Sequence, residues 1–274
     1  MKSIQCDICP HQCMIAEGRA GLCRARENRG GTVICKNYGH ITAMAIDPIE
    51  KKPLRRFLPG SFILSVGSFG CNLSCPFCQN YEIAGADCPR AGSSFFSPDA
   101  LLEQALDCPQ SIGVAFTYNE PLIGYEYVMD CAQLLKQNGQ KVVLVTNGYI
   151  NEEPLLSLLP FVDAMNIDLK GFTESFYKKL GGSLSPVKRT IELSAQYCHL
   201  EVTTLIVPGE NDSEDEMRRL SGWLSDVGKE IPLHVSRYFP RHKMTDTPPT
   251  PLSTICALAD VARASLRYVY EGNC

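Results

Sequence analysis

Cys71, Cys75 and Cys78 place three thiols within eight residues, spaced C-x3-C-x2-C directly after Gly70. Iron–sulfur clusters are held by Cys thiolates, usually four of them. A compact loop offering three leaves one iron open to a small molecule, as a catalytic zinc site keeps one open position. The competing reading is a zinc loop that takes its fourth ligand from elsewhere. Structural zinc sites favour paired C-x2-4-C units, which this triplet is not.

A second set, Cys6, Cys9, Cys13 and Cys23, reads C-x2-C-x3-C-x9-C. Four thiolates make either a structural zinc site or an auxiliary iron–sulfur cluster. Zinc is favoured, because so small a segment needs a closed structural centre. Cys35 is the reserve ligand. The other cysteines, among them Cys88, Cys108, Cys131, Cys198, Cys256 and Cys274, are scattered and read mostly as small buried hydrophobes.

The elements that must position the triplet alternate strand and helix from Phe62 onward. Strands are expected at Phe62 to Val66, Gly113 to Phe116, Lys141 to Thr146, Ala164 to Leu169, Leu200 to Val207 and Leu233 to Tyr238. Helices are expected near 98–107 behind an Ser97 cap, 122–138, 152–159, 174–180, 186–197 and 252–267. A further helix starts at Ser213, with Glu216 three residues later completing a capping box. This alternation implies a parallel sheet with helices outside it. A partial TIM-type (β/α)6 barrel and a doubly wound open sheet both fit, and both place ligands at the carboxyl ends of the strands. Cys71, Glu120, Asn147, Lys170 and His242 all fall there. Residues 1–36 read as a Cys-rich metal-binding appendage, 37–60 as an irregular connector, and 61–274 as the core.

The chain has 274 residues, 45% of them hydrophobic and 20% charged, enough to bury a core without disulfide staples. A net charge of −4 and a pI near 5.8 speak against a general nucleic-acid binder. No apolar run is long enough for a membrane helix, and Met1, Lys2 and Ser3 lead straight into the first cysteines without a signal-peptide core. A cytoplasmic location is expected, where clustered cysteines serve metal or redox chemistry. The basic run Lys51, Lys52, Arg55 and Arg56 reads as a solvated loop, with acidic-substrate recognition as the alternative.

The triplet with its flanking Phe77 and Asn80 resembles the radical S-adenosylmethionine (SAM) superfamily. The resemblance implies that Cys71, Cys75 and Cys78 hold a 4Fe–4S cluster whose open iron binds SAM. It also implies reductive cleavage to a 5′-deoxyadenosyl radical that abstracts hydrogen from a substrate. Phe77 would line the adenine pocket, and Asn119-Glu120 stands where the superfamily binds the methionine amino group. Asn80, Thr146-Asn147-Gly148 and Asp168-Leu169-Lys170 resemble SAM-contacting stretches of pyruvate formate-lyase activating enzyme, and His242 a Pro-Tyr-His stretch there. Val145 stands where that enzyme has an Asp tied to a monovalent cation. Cys9-Pro10-His11-Gln12-Cys13, Asp47 to Leu54, Phe116 to Pro121 and Tyr268-Val269-Tyr270 resemble the radical SAM enzymes of the AmmeMemoRadiSam group, in which relatives continue past this point with another Cys pair. The implied partners are an electron donor such as flavodoxin or ferredoxin and a protein substrate, either a glycyl radical enzyme or a Memo-like protein. An activase role is the alternative within this chemistry, and a non-catalytic zinc-binding protein the alternative outside it.

Overall fold

A computed structural model describes residues 3–87 and 92–274, so Cys88 lies outside the described residues. The appendage is built from two small hairpins. β1 (Ile4–Gln5) pairs with β2 (Met14–Ile15), and β3 (Arg26–Arg29) with β4 (Thr32–Cys35). β5 (His40–Ile41) is followed by β6 (Ala43–Pro48) and β7 (Phe62–Gly67). Then come the short helix α1 (Tyr81–Ala84), β8 (Ser94–Phe95), which pairs with β5, and α2 (Pro98–Leu106). The remaining units are β9 (Ser111–Phe116), α3 (Tyr125–Gln137), β10 (Lys141–Thr146), α4 (Glu152–Leu158), β11 (Ala164–Asp168), α5 (Glu174–Lys179) and α6 (Leu184–Ser194). They end with β12 (His199–Ile206), α7 (Glu214–Gly228), β13 (Leu233–Arg237), α8 (Leu252–Arg263) and β14 (Val269–Gly272).

The main sheet runs β6-β7-β9-β10-β11-β12-β13-β14. All its pairs are parallel except β6 with β7. The order follows the sequence without reversal, so each crossover advances the sheet in one direction. That is a partial TIM-type barrel; a doubly wound sheet would reverse its order at a switch point. Ile63, Ala115, Val143 and Ala164, from four adjacent strands, pack on Ile49 and Leu54. The larger core lies mostly between the strands and the helices, with Val128, Leu135, Val187, Ile191, Leu220, Leu258 and Ala262 buried in it.

Several sequence expectations change. Residues 37–60 are not irregular throughout: β6 runs antiparallel along β7 as an edge of the sheet. The sheet has eight strands rather than six, with β14 added beside β13. The helix expected over 122–138 opens as a 3-10 turn, Pro121–Gly124, and becomes α-helical at Tyr125. The last helix stops at Arg263. Ser213 does accept the Glu216 amide (3.2 Å), but the Glu216 carboxylate accepts from Phe172 N (2.6 Å), so the reciprocal half of the capping box is missing. Of the scattered cysteines described, only Cys131 is fully buried, and Cys256 and Cys274 are exposed.

In the basic run Lys51, Arg55 and Arg56 are exposed, and only Lys52 departs from a solvated loop. Lys52 is buried, and its Nζ donates to Asp47 (2.9 Å) and lies over the Tyr118 ring. The Arg55 and Arg56 amides donate to the Glu201 carboxylate (3.0 and 2.7 Å), which also accepts from His199 Nε2 (2.9 Å) and His234 Nε2 (2.6 Å). Burial raises the Glu201 pKa, but the two imidazoles and two amides outweigh it and hold it at about 2. Glu201, at the amino end of β12, thus clamps residues 55–56 under the barrel. Replacing it leaves several buried donors unmet, so Glu201→Gln should lower the unfolding free energy by about 3 kcal/mol, read from the urea midpoint at neutral pH.

Candidate functional site

The loop after β7 carries the three thiols. Its backbone has almost no ladder partners, and side-chain amides take their place. Asn119 accepts from Ser68 N (2.9 Å) and donates to Phe69 O (3.3 Å) and Gly70 O (3.1 Å). Asn37 donates to Phe69 O (3.0 Å). Beyond Cys71, Ser74 N reaches Leu180 O (2.8 Å), and Lys243 N reaches Pro76 O (2.9 Å). Gly70 has φ +88°, and a Cβ there would lie 2.5 Å from Cys23 O, so only glycine fits between the loop and the appendage.

Two cavities flank the loop. One of about 340 Å³ lies at the carboxyl ends of the strands and is lined by Cys71, Cys75, Cys78, Phe77, Glu120 and Lys170, among others. The other, about 300 Å³, shares the three cysteines and adds Leu22 and Arg24 of the appendage with Tyr81 and His242. A larger depression of about 710 Å³, between Pro10 of the appendage and Arg189 of α6, contains none of the cysteines. The chemistry therefore belongs to the smaller pair. Three thiols at the meeting of two such spaces fit a 4Fe–4S cluster with three protein ligands and room beside it for a second molecule. Burial pushes the Cys75 thiol up to about 11 and raises Cys71 and Cys78 as well. Such thiols stay protonated until a metal ion displaces the proton.

Around the first cavity, Glu120 is fully buried. Its Oε1 accepts from Leu122 N (2.9 Å) and Thr146 Oγ1 (2.7 Å), its Oε2 from Asn147 N (2.7 Å). Burial pushes its pKa up to about 7 despite these donors. It therefore caps the 3-10 turn and ties the end of β9 to that of β10, while also facing the cavity. Asn147 donates to Asn72 Oδ1 (2.9 Å) and its amide nitrogen lies 3.7 Å from Cys71 Sγ. Lys170 Nζ donates to Asp168 Oδ2 (2.7 Å). Burial lowers the Lys170 pKa, but the Asp168 charge, the nearby Cys75 and the hydrogen bond outweigh it, and the net direction is up. Phe77 is buried and stacks on Phe176 with ring centroids 6.3 Å apart.

Two expected site residues lie off the first cavity. Asn80 is exposed and donates to Tyr118 O (2.6 Å), outside the cavity lining. His242 stacks on Tyr81 (4.6 Å) and lines the second cavity, across the thiol loop from Lys170. Asp47 and Tyr118 form a further pair at this site. Tyr118 Oη donates to Asp47 Oδ2 (2.8 Å), and Tyr118 also lines the first cavity. Burial raises the Asp47 pKa, but hydrogen bonds from Lys52 and Tyr118 bring it to about 2. No local pattern announces a contact between residues 71 positions apart.

In the appendage, Cys6, Cys9, Cys13 and Cys23 line one small space together with His11 and Arg26. Cys35 lies outside it, its thiol turned to Asn37 Oδ1 (3.1 Å). Among the described residues, no group of three or more His, Cys, Asp or Glu side chains is placed to hold a single metal ion. No described helix is long and apolar enough to cross a membrane.

Residues 65–221 match the family model described as the radical SAM superfamily. An uncharacterised protein of Methanocaldococcus jannaschii is 40% identical over 98% of this chain and 81% of its own length. Pyruvate formate-lyase 1-activating enzyme of Escherichia coli is 24% identical over 58% of this chain and 67% of its own. Among solved structures, a domain of pyruvate-formate lyase-activating enzyme from Bacteroides vulgatus superposes with a TM-score of 0.51 at 17% identity, covering 59% of this chain and 99% of that one. Streptococcus suis SuiB bound to S-adenosylmethionine gives 0.56 at 14% identity, covering 74% and 48%. At these identities the structures speak for the fold alone.

The Gly70 contact yields an expected outcome. Gly70→Ala must open the approach of the thiol loop to Cys23 and hold a non-glycine residue at positive φ. It should cost about 1–3 kcal/mol and lower the iron bound per chain, measured by thermal unfolding and elemental analysis.

Proposed function

This chain belongs to the radical SAM superfamily, whose enzymes use a 4Fe–4S cluster and SAM, and from that premise we propose that Cys71, Cys75 and Cys78 hold the cluster beside a SAM site in the 340 Å³ cavity, for hydrogen abstraction from a substrate. The observation that carries this reading is the convergence on one cavity of three thiols, the Asp168–Lys170 pair and the Glu120 carboxylate, from the ends of three strands. When bound, the cluster supplies the electron that breaks the carbon–sulfur bond of SAM. The chain's own residues bind and orient. Lys170, half-buried and charged, offers a donor to a carboxylate while Asp168 offsets its charge. Glu120 offers an acceptor to an amino group, and Phe77 an apolar wall to a base. Phe77, Phe176, Leu180 and Val207 keep water from that side.

An electron donor of the flavodoxin or ferredoxin type, a cytoplasmic setting and a zinc centre in the appendage belong to the same proposal. A second reading, an activase that places a radical on a glycyl radical enzyme, is supported by the similarity to activating enzymes of Escherichia coli and Haemophilus influenzae. Incubation with candidate proteins and deuterated SAM-cleavage analysis separates the two, since only an activase takes hydrogen from a protein backbone.

Anaerobically reconstituted protein, reduced in the presence of SAM, should release 5′-deoxyadenosine. Alanine at Cys71, Cys75 or Cys78 should abolish that product together with the brown colour; product at the wild-type rate from any of the three would overturn the assignment. Lys170→Ala should weaken SAM binding while the iron content stays unchanged. Glu120 is ionised above about pH 7 and protonated below it. As pH falls through 7 its acceptor for an amino group is lost, so SAM affinity should drop by up to about tenfold per pH unit. Glu120→Gln should flatten that dependence, followed by equilibrium SAM binding between pH 6 and 8.5.

A further inference from the structure

We propose that the cavity of about 340 Å³ holds, beside its SAM site, a subsite for an oxyanion of the substrate, a carboxylate or a phosphate, and that Lys51 is its anchor. Part of the cavity wall comes not from the strands but from the segment that plugs the lumen. Ile49 and Leu54 are fully buried against Ile63, Ala115, Val143 and Ala164, and Asn166 Nδ2 donates to Pro53 O (2.8 Å). Between these anchors, Lys51 and Pro53 line the cavity. The Lys51 backbone is therefore held, while its side chain is 68% exposed. Charge singles out this lysine. Two ammonium groups, Lys51 and Lys52, share one carboxylate, Asp47. Lys52 is buried and takes it at 2.9 Å, on the oxygen that Tyr118 Oη also reaches (2.8 Å). Lys51 is left the other oxygen at 3.4 Å. One positive charge beside the cavity thus goes uncompensated. The neighbouring acid, Glu50, is engaged by the Gly60 amide (2.7 Å).

The other charged groups of the lining already have partners: Lys170 pairs with Asp168, and Glu120 accepts three hydrogen bonds. Ser236, on β13, adds a hydroxyl to the lining. It accepts from Asn273 Nδ2 (3.0 Å) and donates to no other described residue, so its proton is open to a ligand. The unengaged groups are donors, and a ligand that completes them brings acceptors and a negative charge. A strained turn maintains this arrangement. Tyr118 stands at φ +71°, with Asn119 N bonded to Thr117 O (3.0 Å), a γ-turn of the rare kind. Its ring fits because residue 67 is glycine: a Cβ there would lie 2.8 Å from the ring. Strain of this sort collects at binding sites. Here it brings the phenol to Asp47 as a third donor and leaves Lys51 the longest of the three contacts. That the anion belongs to a substrate rests on the radical SAM reading; that an anion binds at Lys51 does not.

The test is a titration of the anaerobically reconstituted, unreduced full chain with inorganic phosphate and with acetate, in the presence of SAM and in its absence, followed by line broadening of the ligand's NMR signal. At least one anion should bind, and the tighter of the two names the group the substrate carries. Lys51→Met, which keeps the apolar stem, should weaken that binding about tenfold, the worth of one charge-assisted hydrogen bond. Lys51→Arg should restore most of it. In wild type the bound anion should also protect the Lys51 amine from acetylation, read by mass spectrometry, and this measurement decides should Lys51→Met not fold. Three results would refute the subsite: neither anion binds wild type, Lys51→Met binds as tightly as wild type, or Lys170→Ala abolishes binding while Lys51→Met keeps it. The last would put the anion on Lys170 instead. Because the titration without SAM needs no SAM site, it separates failure of this inference from failure of the SAM reading.

Discussion

A loop that presents three thiols at the mouth of a barrel cannot also be a strand or a helix, so its peptide groups must find partners outside any ladder. The rest of the site is organised around that need. Asn37, Asn72, Asn119 and Asn147 each spend their amide on this loop or on a neighbour of it. Asparagine suits the task because one short side chain donates and accepts together. The cysteines are thus held by side chains that rise from the ends of β9 and β10 and from Asn37 in the connector, and the geometry of the thiols is only as firm as those anchors.

The same economy governs the charged groups. Glu120 serves as cap, as tie between strands and as cavity wall, and three donors keep a carboxylate tolerable where burial opposes its charge. Lys170 with Asp168 and Lys52 with Asp47 are carboxylate–ammonium pairs set into the barrel, one at the thiols and one beneath them. Breaking the Lys52–Asp47 pair leaves a buried charge without its counterpart, which costs more than the pair itself contributes. The cationic partner in the upper pair stands beside Cys75, where a cluster carrying thiolate charge would stand.

Much of this was legible in the sequence, because its signals are local. β10 begins and ends where the run Lys141 to Thr146 suggested, and Ser97 and Ser213 accept the amides their positions called for. The thiol loop and the residues at the strand ends do share one cavity. What escaped depends on partners far along the chain. β6 carries Asp47 inward against Tyr118 and Lys52, so its pattern does not read as a half-buried strand. Lys51 and Lys52 are neighbours with opposite fates, the first largely exposed and the second buried, and only the distant Tyr118 ring distinguishes them. Glu216 forgoes its own cap and accepts instead from the Phe172 amide, across the turn from β11. Asn80 stands two residues after Cys78 in sequence yet is exposed, since the chain turns into α1 at that residue.

The clamp beneath the barrel also orders events during synthesis. The Arg55 and Arg56 amides wait for Glu201, 145 to 146 residues later, and Glu201 in turn waits for His234. At its other end the appendage closes on Asn151, which bonds Asp7 O and Ile8 O. A ribosome therefore releases the first sixty residues long before the strands that cover them exist. The part of the chain made first is finished late: Arg55 and Arg56 wait for β12, and until Ile123 and Asn151 emerge the appendage cysteines stand open to whatever metal or oxidant the nascent chain meets.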